Sequence, residues 1–217
     1  MRRLWTTALA LLCFTACSNQ GQDTPLRQQP SPTASPFSIT MTIEHLAFDT
    51  PQRMCTAEFV TVATMASWGV THWNTPGATR PDYLSPIAVE AQGIQIYRPL
   101  QLSGSEVLID RRPAQQEELV AVGGTVGQDT ITTNYPTPTA GHRYLLIFVP
   151  GQRPGVAGPD YSTLILIDAF RIDDRDNVLF PRGAIMANGQ DVPGGFVPTP
   201  LAGLRTQLKS CPTGGSG

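Results

Sequence analysis

A cysteine that follows a short apolar run is the residue whose position most directly implies chemistry. Arg2 and Arg3 open the chain, residues 4–16 are mostly apolar, and Cys17 comes directly after Ala16. Bacterial lipoprotein signals have this layout: the signal is cleaved before the cysteine, and the sulfur is acylated. The apolar run is also shorter than the ~20 residues that a transmembrane helix needs. We therefore predict a lipoprotein signal peptide over residues 1–16 and lipidation of Cys17.

Plain secretion is the alternative interpretation of this segment. Phe14 stands where lipoprotein signals usually carry leucine, and this is the one departure from the pattern. The polar residues 18–20 that follow the cysteine are typical of a tether. A lipid anchor and release as a secreted protein therefore both stay open, and the pattern favours the anchor.

Two further cysteines have a spacing that suits a structural bond. Cys13 falls within the predicted signal and Cys17 is the predicted acyl acceptor, which leaves Cys55 and Cys211 for the folded part. Paired cysteines in an oxidising compartment form disulfides. We predict a Cys55–Cys211 disulfide, which on the chain-entropy model contributes about 4–5 kcal/mol to stability.

Five residues in one stretch between predicted strands could bind a ligand. Trp68, His72, Trp73, Asn74 and Arg80 combine two indoles with polar and charged groups, which suits contact with a sugar or a partner's peptide. The alternative is structural: the indoles hold the loop on its own domain, because a long loop needs an anchor to stay ordered. The segment is thus the candidate contact surface, with this structural interpretation beside it.

No pattern in the sequence predicts a catalytic, metal or cofactor site. There is no GxSxG motif and no CxxC pair, and the three histidines are scattered along the chain. Residues 173–177 are rich in Asp but lack the glycine and distal glutamate of a calcium loop, so we interpret them as a hairpin turn. The glycines of residues 123–127 precede neither GK[ST] nor a helix, so we predict a sheet bend there. These absences favour a protein without enzymatic activity, and a site that assembles only in the fold stays open.

Alternating and β-branched patterns predict that these features are positioned by strands. Twenty glycines and twenty prolines interrupt the chain too often for long helices. The predicted extended segments cover Ile39 to Ile43, Glu58 to Trp68, Ile94 to Leu102, Glu106 to Asp110, Leu119 to Val122, Ile131 to Asn134, Arg143 to Pro150, Tyr161 to Ile172 and Val178 to Phe180. Residues 69–92 are predicted to be a long loop. The expected fold is a small antiparallel barrel that closes on a bend at Gly123 and Gly124.

One helix is predicted, at the C-terminal end of the chain. Thr199 suits the N-cap, Pro200 suits the first helical position, and Leu201, Leu204 and Leu208 recur at spacings of three and four. This helix would pack its leucines on the sheet and carry the last cysteine toward Cys55.

Composition and hydropathy divide the chain into four parts. After the signal, residues 17–36 hold few large apolar side chains and are predicted to be the lipidated cysteine and a disordered tether rich in Pro, Gln and Ser. Residues 37–211 are expected to form a single β-barrel domain, and residues 212–217 a flexible tail. The net charge of −2 does not favour binding to nucleic acid.

The pattern of residues between Cys55 and Phe180 resembles secreted bacterial proteins with a netrin-like or metalloprotease-inhibitor-like domain. The segments that carry this resemblance are Val60 to Val62, Trp73 to Gly77, Ile96 to Pro99, Gly123 to Gly127 and Gly141 to Phe148. The resemblance implies an all-β fold, an OB-like barrel with extra strands and a C-terminal helix. Metalloprotease inhibitors of that fold bind zinc through a free N-terminal cysteine, whereas Cys17 would be acylated, so that mechanism is not expected here.

The sequence thus predicts a lipid-anchored protein of the cell membrane or outer membrane, outside the cytoplasm. Its expected role is a binding or interaction module for an envelope protein or glycan. The alternative is an envelope hydrolase or a protease regulator whose site assembles only in the fold, from one of the histidines, a carboxylate and a serine.

Overall fold

The computed structural model describes residues 35–42, 47–112, 118–155, 157–181 and 195–212. Contacts divide the chain into two units at residues 35 and 36, and the second unit holds every strand and helix given below. The strands are β1 (Ser38–Met41), β2 (Phe59–Trp68), β3 (His72–Trp73), β4 (Ile96–Asp110), β5 (Glu118–Val122), β6 (Gly124–Val126), β7 (Asp129–Thr133), β8 (Arg143–Gly151), β9 (Asp160–Arg171), β10 (Asn177–Pro181) and β11 (Phe196–Pro200). The helices are α1 (Pro51–Met54), α2 (Pro86–Gln92) and α3 (Leu201–Lys209).

Five of these strands close into a barrel, which confirms the predicted fold class. Their order around the barrel is β2–β8–β9–β5–β4, and pairing of β2 with β4 closes the ring. All of these pairs are antiparallel except β5–β9, which is parallel. In sequence order the barrel strands are therefore arranged 1-2-3-5-4, the Greek-key arrangement of OB-like barrels.

Both faces of β8 and β9 are buried over most of their length, which explains their long apolar runs. In β8, Leu145 and Ile147 belong to one hydrophobic cluster while Leu146 and Phe148 belong to another. Successive side chains of a strand point to opposite faces, so the two clusters lie on opposite sides of the barrel wall. The first cluster also contains residues of α1, α3 and β10, which shield it from water.

A second, smaller sheet lies beside the barrel and forms a third cluster with the segment between β2 and β4. The sheet has the order β1–β7–β6, and β1 pairs with β7 in parallel. Its Ile131 packs with Trp73, Val89 and Ile96 in a cluster that includes residues of α2 and β3. This cluster anchors residues 69–95 to the rest of the domain.

The prediction that residues 69–92 form one long loop is wrong. The segment contains β3, a 3-10 turn at Pro76–Ala78 and the helix α2. Helix α2 is capped at both ends. The Ser85 hydroxyl accepts the N–H of Ala88, and Gly93 takes the left-handed conformation with φ of 63°. Favourable capping at both ends and burial of Val89 in the third cluster stabilise this short helix.

The bend at Gly123 and Gly124 exists, but it does not close the barrel as predicted. The two residues have φ of 104° and 135°, a region that L side chains rarely adopt. A Cβ on Gly123 would also lie 3.0 Å from the carbonyl oxygen of Ile131. The bend directs the chain out of barrel strand β5 and into β6 of the small sheet, whereas the barrel is closed by β2 and β4.

The C-terminal helix packs as predicted, but it begins one residue later. Its Leu201, Leu204 and Leu208 are all buried in the first cluster. Pro200 is the N-cap, and Thr199 belongs to β11 because it pairs with Val178 of β10. The strand pairing takes precedence over capping by the Thr199 hydroxyl.

The predicted disulfide is present, and both of its cysteines pack against the first cluster. Cys55 follows α1, Cys211 lies just beyond α3, and their Cα atoms are 5.4 Å apart. The two cysteines are separated by 156 positions in the sequence. The bond therefore fixes α3 against α1 at one side of the barrel.

Asp176 organises the turn between β9 and β10, which confirms the prediction of a hairpin turn. It has a positive φ of 63°, a conformation that Asp tolerates better than most residues. Its carboxylate accepts hydrogen bonds from Arg143 of β8 and lies 3.6 Å from Arg205 of α3. Its carbonyl oxygen accepts the N–H of Leu201 at 2.9 Å. The acidic turn thus holds the start of α3.

Candidate functional site

A cleft of about 490 Å³ lies where the 69–95 segment meets the barrel. One wall is formed by residues 72–76 and Ala78, and the other by residues 152–154 of the β8–β9 loop together with the start of β9. Tyr97 of β4 and Glu118 of β5 complete the lining. Clefts of about 300–1,000 Å³ are the usual size for small-molecule sites. In OB-like barrels the loop between the first two strands and the loop between the last two border the ligand site.

The wall formed by residues 152–154 carries the guanidinium of Arg153, which hydrogen bonds hold in a fixed position. Arg153 Nε donates to Asp160 Oδ2 at 2.9 Å, and Arg153 Nη2 donates to Ser162 Oγ at 2.8 Å. Asp160 also accepts the N–H and the hydroxyl of Ser162, at 3.0 and 2.6 Å. Burial by itself would raise the pKa of Asp160, but these hydrogen bonds from Ser162 and Arg153 outweigh it and hold the pKa below its ordinary value. Asp160 is therefore an anion that orients Arg153.

A histidine and a carboxylate meet at the other end of the cleft. His72 Nε2 lies 3.2 Å from Glu118 Oε1, and His72 Nδ1 lies 3.0 Å from the carbonyl oxygen of Trp73. Both partners are acceptors, so both contacts are hydrogen bonds only when both ring nitrogens carry a proton. The ring of His72 also meets the ring of Tyr97 edge-on, with centroids 6.2 Å apart. The imidazole is thus held from three sides, and it orients the Glu118 carboxylate.

Two residues of the predicted contact surface form the inner structure of the cleft. The Asn74 side chain donates to the carbonyl oxygen of Gly93 at 2.8 Å and accepts the N–H of Gln95 at 2.7 Å. Trp73 is 1% exposed and packs in the third cluster. These contacts agree with the structural interpretation of the loop, in which its aromatic residue serves as an anchor.

Trp68 lies outside the lining of this cleft. The guanidinium of Arg98 stacks over its ring, with the central carbon 3.5 Å from the ring centroid. One face of the indole is therefore covered by a cation of the same chain. Of the five predicted residues, the structure brings His72, Trp73 and Asn74 to the cleft and leaves Trp68 and Arg80 elsewhere.

Arg80 belongs to an ion pair that joins the 69–95 segment to the small sheet. Its Nε donates to Asp129 Oδ2 at 2.6 Å and its Nη2 to Asp129 Oδ1 at 3.2 Å. Asp129 also accepts the N–H of Phe37 at 2.9 Å, and its side chain is only 6% exposed. The hydrogen bond from Arg80 is the main reason that the pKa of Asp129 lies below its ordinary value. Arg80 therefore fixes the 69–95 segment, which forms one wall of the cleft, to Asp129. Asp129 in turn holds Phe37, which precedes β1.

We expect Asp129→Asn to lower the free energy of unfolding by about 2 kcal/mol at pH 7, the range for hydrogen bonds to charged groups. Because the pKa of Asp129 is depressed in the folded state, its carboxylate stabilises the fold above the ordinary aspartate pKa. That contribution is lost as the pH falls. Urea unfolding of both proteins should show a constant difference above about pH 5 that shrinks below about pH 4.

The exposed Asp82 offers a matched control for this measurement, since Asp82→Asn changes the same functional group without removing an ion pair. Its stability should follow that of the wild type at every pH. If the free energies of unfolding of Asp129→Asn and wild type differed by the same amount at pH 7 and pH 3, the ionised Asp129 carboxylate would not be the source of the stabilisation.

Sequence reasoning missed four of the polar residues that shape the cleft. Glu118, Arg153, Asp160 and Ser162 lie far from residues 72–76 in the chain and follow no motif. The one usable signal was the fold itself, because an OB-like barrel brings the β8–β9 loop beside the loop that follows β2. The fold indicates that the segment 152–159 lies at the site, but it does not indicate which residues of that segment shape the cleft.

The cleft does bring together a histidine, carboxylates and a serine, the groups named for the hydrolase alternative. Their hydrogen bonds do not form a catalytic relay in this structure. The Ser162 hydroxyl donates to Asp160 and accepts from the cationic Arg153, which makes its oxygen less nucleophilic. Both nitrogens of His72 contact other acceptors. This arrangement suits the recognition of charged groups.

A second cleft of about 590 Å³ shares Gln152 and Arg153 with the first and extends toward the end of α2. No group of three or more metal-binding side chains occurs among the residues that the structure describes. In that same part of the chain, no helix has the length and apolarity needed to cross a bilayer. The predicted signal peptide, Cys17 and the residues of the tether up to residue 34 lie outside the described residues, as does His45.

Comparison with protein-family models, with curated proteins and with solved structures found no match for this chain. Membership of the netrin-like family accordingly stays a prediction based on the quoted motifs.

Proposed function

We propose that this protein is a lipid-anchored binding module of the bacterial cell envelope. The observation that supports binding most strongly is the cleft beside the barrel, in which Arg153 and Glu118 are each held by a partner and face the same space. Oriented polar groups in a concave site of this size are the usual basis of small-ligand recognition. The sequence around Cys17 supports the anchor, and the composition of residues 17–36 supports a tether that carries the domain away from the bilayer.

The hydrolase alternative has one observation in its favour, the presence of His72 and Ser162 in the same cleft. The binding role is the better supported of the two, because the Ser162 hydroxyl is engaged by Asp160 and Arg153. Covalent labelling by a fluorophosphonate that disappears in Ser162→Ala would favour the hydrolase. Equal absence of labelling in both proteins is the expected result.

A photoreactive amino acid at Gln152 tests the binding role in intact cells. The Gln152 side chain is exposed at the point that both clefts share, so a ligand or partner bound there should be cross-linked on illumination. The same residue at Gln207, on the exposed side of α3, is the matched control. We expect adducts from position 152 and none from position 207. Identical patterns at the two positions, or no adduct at either, would contradict a binding role for the cleft.

The same cells test the anchor. We expect the protein in the membrane fraction, with an intact mass equal to residues 17–217 plus acyl chains and less two hydrogens for the disulfide. Cys17→Ser removes the acylated sulfur, and it should move most of the protein to the soluble fraction because no second anchor is predicted. A wild-type protein that is soluble and free of lipid would show secretion without an anchor.

A further inference from the structure

We propose that the cleft binds a small zwitterion, the class that contains free amino acids and short peptides with unblocked ends. The anionic group of the ligand would contact Arg153 and its cationic group would contact Glu118. This inference rests on the proposed binding function and specifies the ligand of the same cleft.

Arg153 has donors left for an anion. Among the residues that the structure describes, only Asp160 and Ser162 bind this guanidinium, through Nε and one N–H of Nη2, which leaves three of its five N–H groups. The side chain is 59% exposed, so these groups face the solvent at the cleft. A guanidinium held in place by an internal carboxylate is preorganised for a carboxylate or phosphate ligand.

Glu118 has an acceptor left for a cation. Its Oε1 contacts His72, whereas its Oε2 accepts no hydrogen bond from the part of the chain that the structure describes. The side chain is 41% exposed. The His72 ring holds the carboxylate at the cleft, so the free oxygen can accept from an ammonium group without reordering of the side chain.

The balance of charge in the cleft distinguishes a zwitterion from a ligand of one sign. A ligand with negative charge alone would approach Arg153 but would also meet Glu118 and Asp160. A ligand with positive charge alone would meet the Arg153 guanidinium. Like charges placed together in a binding site cost affinity, whereas matched opposite charges avoid that cost. Only a ligand that carries both signs is matched at both positions.

The aromatic residues of the cleft do not favour a neutral sugar. Sugar sites usually present the open face of an aromatic ring, but Trp73 is 1% exposed and Tyr97 is 3% exposed. Tyr97 also uses its hydroxyl to donate to the carbonyl oxygen of Gln152 at 3.2 Å. Recognition in this cleft therefore depends on its charged groups, and a volume of about 490 Å³ suits a compact ligand.

Isothermal titration of the purified protein with an alanine series tests the proposal. The series is L-alanine and its unblocked di-, tri- and tetrapeptides, which separate the two charges by increasing distances. N-acetylated and C-amidated forms of each compound remove one charge at a time. We expect one length to bind best, and we expect either blocked form of it to bind at least about tenfold more weakly, the usual effect of losing a hydrogen bond between charged groups.

Two variants with matched controls locate the contacts. Arg153→Gln and Glu118→Gln should each weaken the unblocked peptide about tenfold or more, and Arg153→Gln should have less effect on the C-amidated form, which has no carboxylate to lose. Arg171→Gln and Glu58→Gln make the same changes outside the cleft and should bind as the wild type does.

The possible results separate this inference from the proposed function. Blocked peptides that bind as well as unblocked ones, or binding that both cleft variants retain, would overturn the zwitterion. No heat of binding from any unblocked compound would overturn it too. If Gln152 still gives specific adducts in cells, the cleft is a binding site for another class of ligand. If those adducts are also missing, the binding function itself fails.

Discussion

Replacement of Cys55 and Cys211 by alanine in the same protein is expected to lower the free energy of unfolding by about 3–5 kcal/mol. The bond joins positions that are 156 residues apart, so its loss releases a long loop in the unfolded chain. In the folded state it fixes the end of α3 next to α1, where the leucines of α3 cover the first cluster. The loss of stability comes from the greater conformational entropy of the unfolded chain, and the two alanines form no new contact that offsets it.

Chemical unfolding of the oxidised wild type, the reduced wild type and the double variant measures this cost. Reduction should bring the wild type to the stability of the variant, and the variant should not respond to the reductant. At the scale of this domain the midpoint of thermal unfolding should fall by about 10 °C. Equal stability of the oxidised wild type and the variant would mean that packing of α3 alone fixes the C-terminal end.

Trp73→Ala is expected to have an effect of similar size, a loss of about 3–5 kcal/mol in the free energy of unfolding. Trp73 is among the largest fully buried side chains, and it packs against Val89, Ile96 and Ile131. Its removal leaves a cavity between α2, β3 and the small sheet. Because the same cluster supports one wall of the cleft, the variant should also lose the shape of the cleft.

Trp73→Phe separates the packing of this residue from its polar group. The indole Nε1 is buried and has no hydrogen-bond partner among the described residues, so phenylalanine loses volume but no hydrogen bond. We expect a cost of about 1–2 kcal/mol, well below that of alanine. Urea unfolding of the two variants beside the wild type provides the comparison. A phenylalanine variant as unstable as the alanine variant would point to a hydrogen bond made by the indole in solution.

The burial of Trp73 changes how the binding surface should be tested. A loss of binding in Trp73→Ala would not distinguish a contact with the ligand from a collapsed wall. The exposed side chains of Arg153 and Glu118 are better probes, since they can be changed without opening a cavity.

Four of the five barrel strands were predictable because each carries its own pattern, whereas β4 is one continuous strand over two segments that were predicted separately. Arg143 to Pro150 and Tyr161 to Ile172 are apolar runs bounded by turn residues, and the structure places β8 and β9 there. The helix α2 was missed although Ser85, Pro86 and Gly93 are the cap and end residues of a helix. With seven residues and a proline-rich neighbourhood it has little periodic signal, and tertiary packing of Val89 decides in its favour.

The sequence by itself determined the barrel strands other than β4, the acidic turn before β10 and the pairing of the last two cysteines, because each depends on residue types close together or on the number of cysteines left to pair. The short strands β3, β6 and β11 were not predicted. Only the tertiary structure decided the cleft. Glu118, Arg153 and His72 meet because the strand order of the closed barrel and the packing of residues 69–95 bring three distant segments together. Strand order and register arise from the burial of both barrel faces at once, which is a property of the whole fold and leaves no local pattern in the sequence.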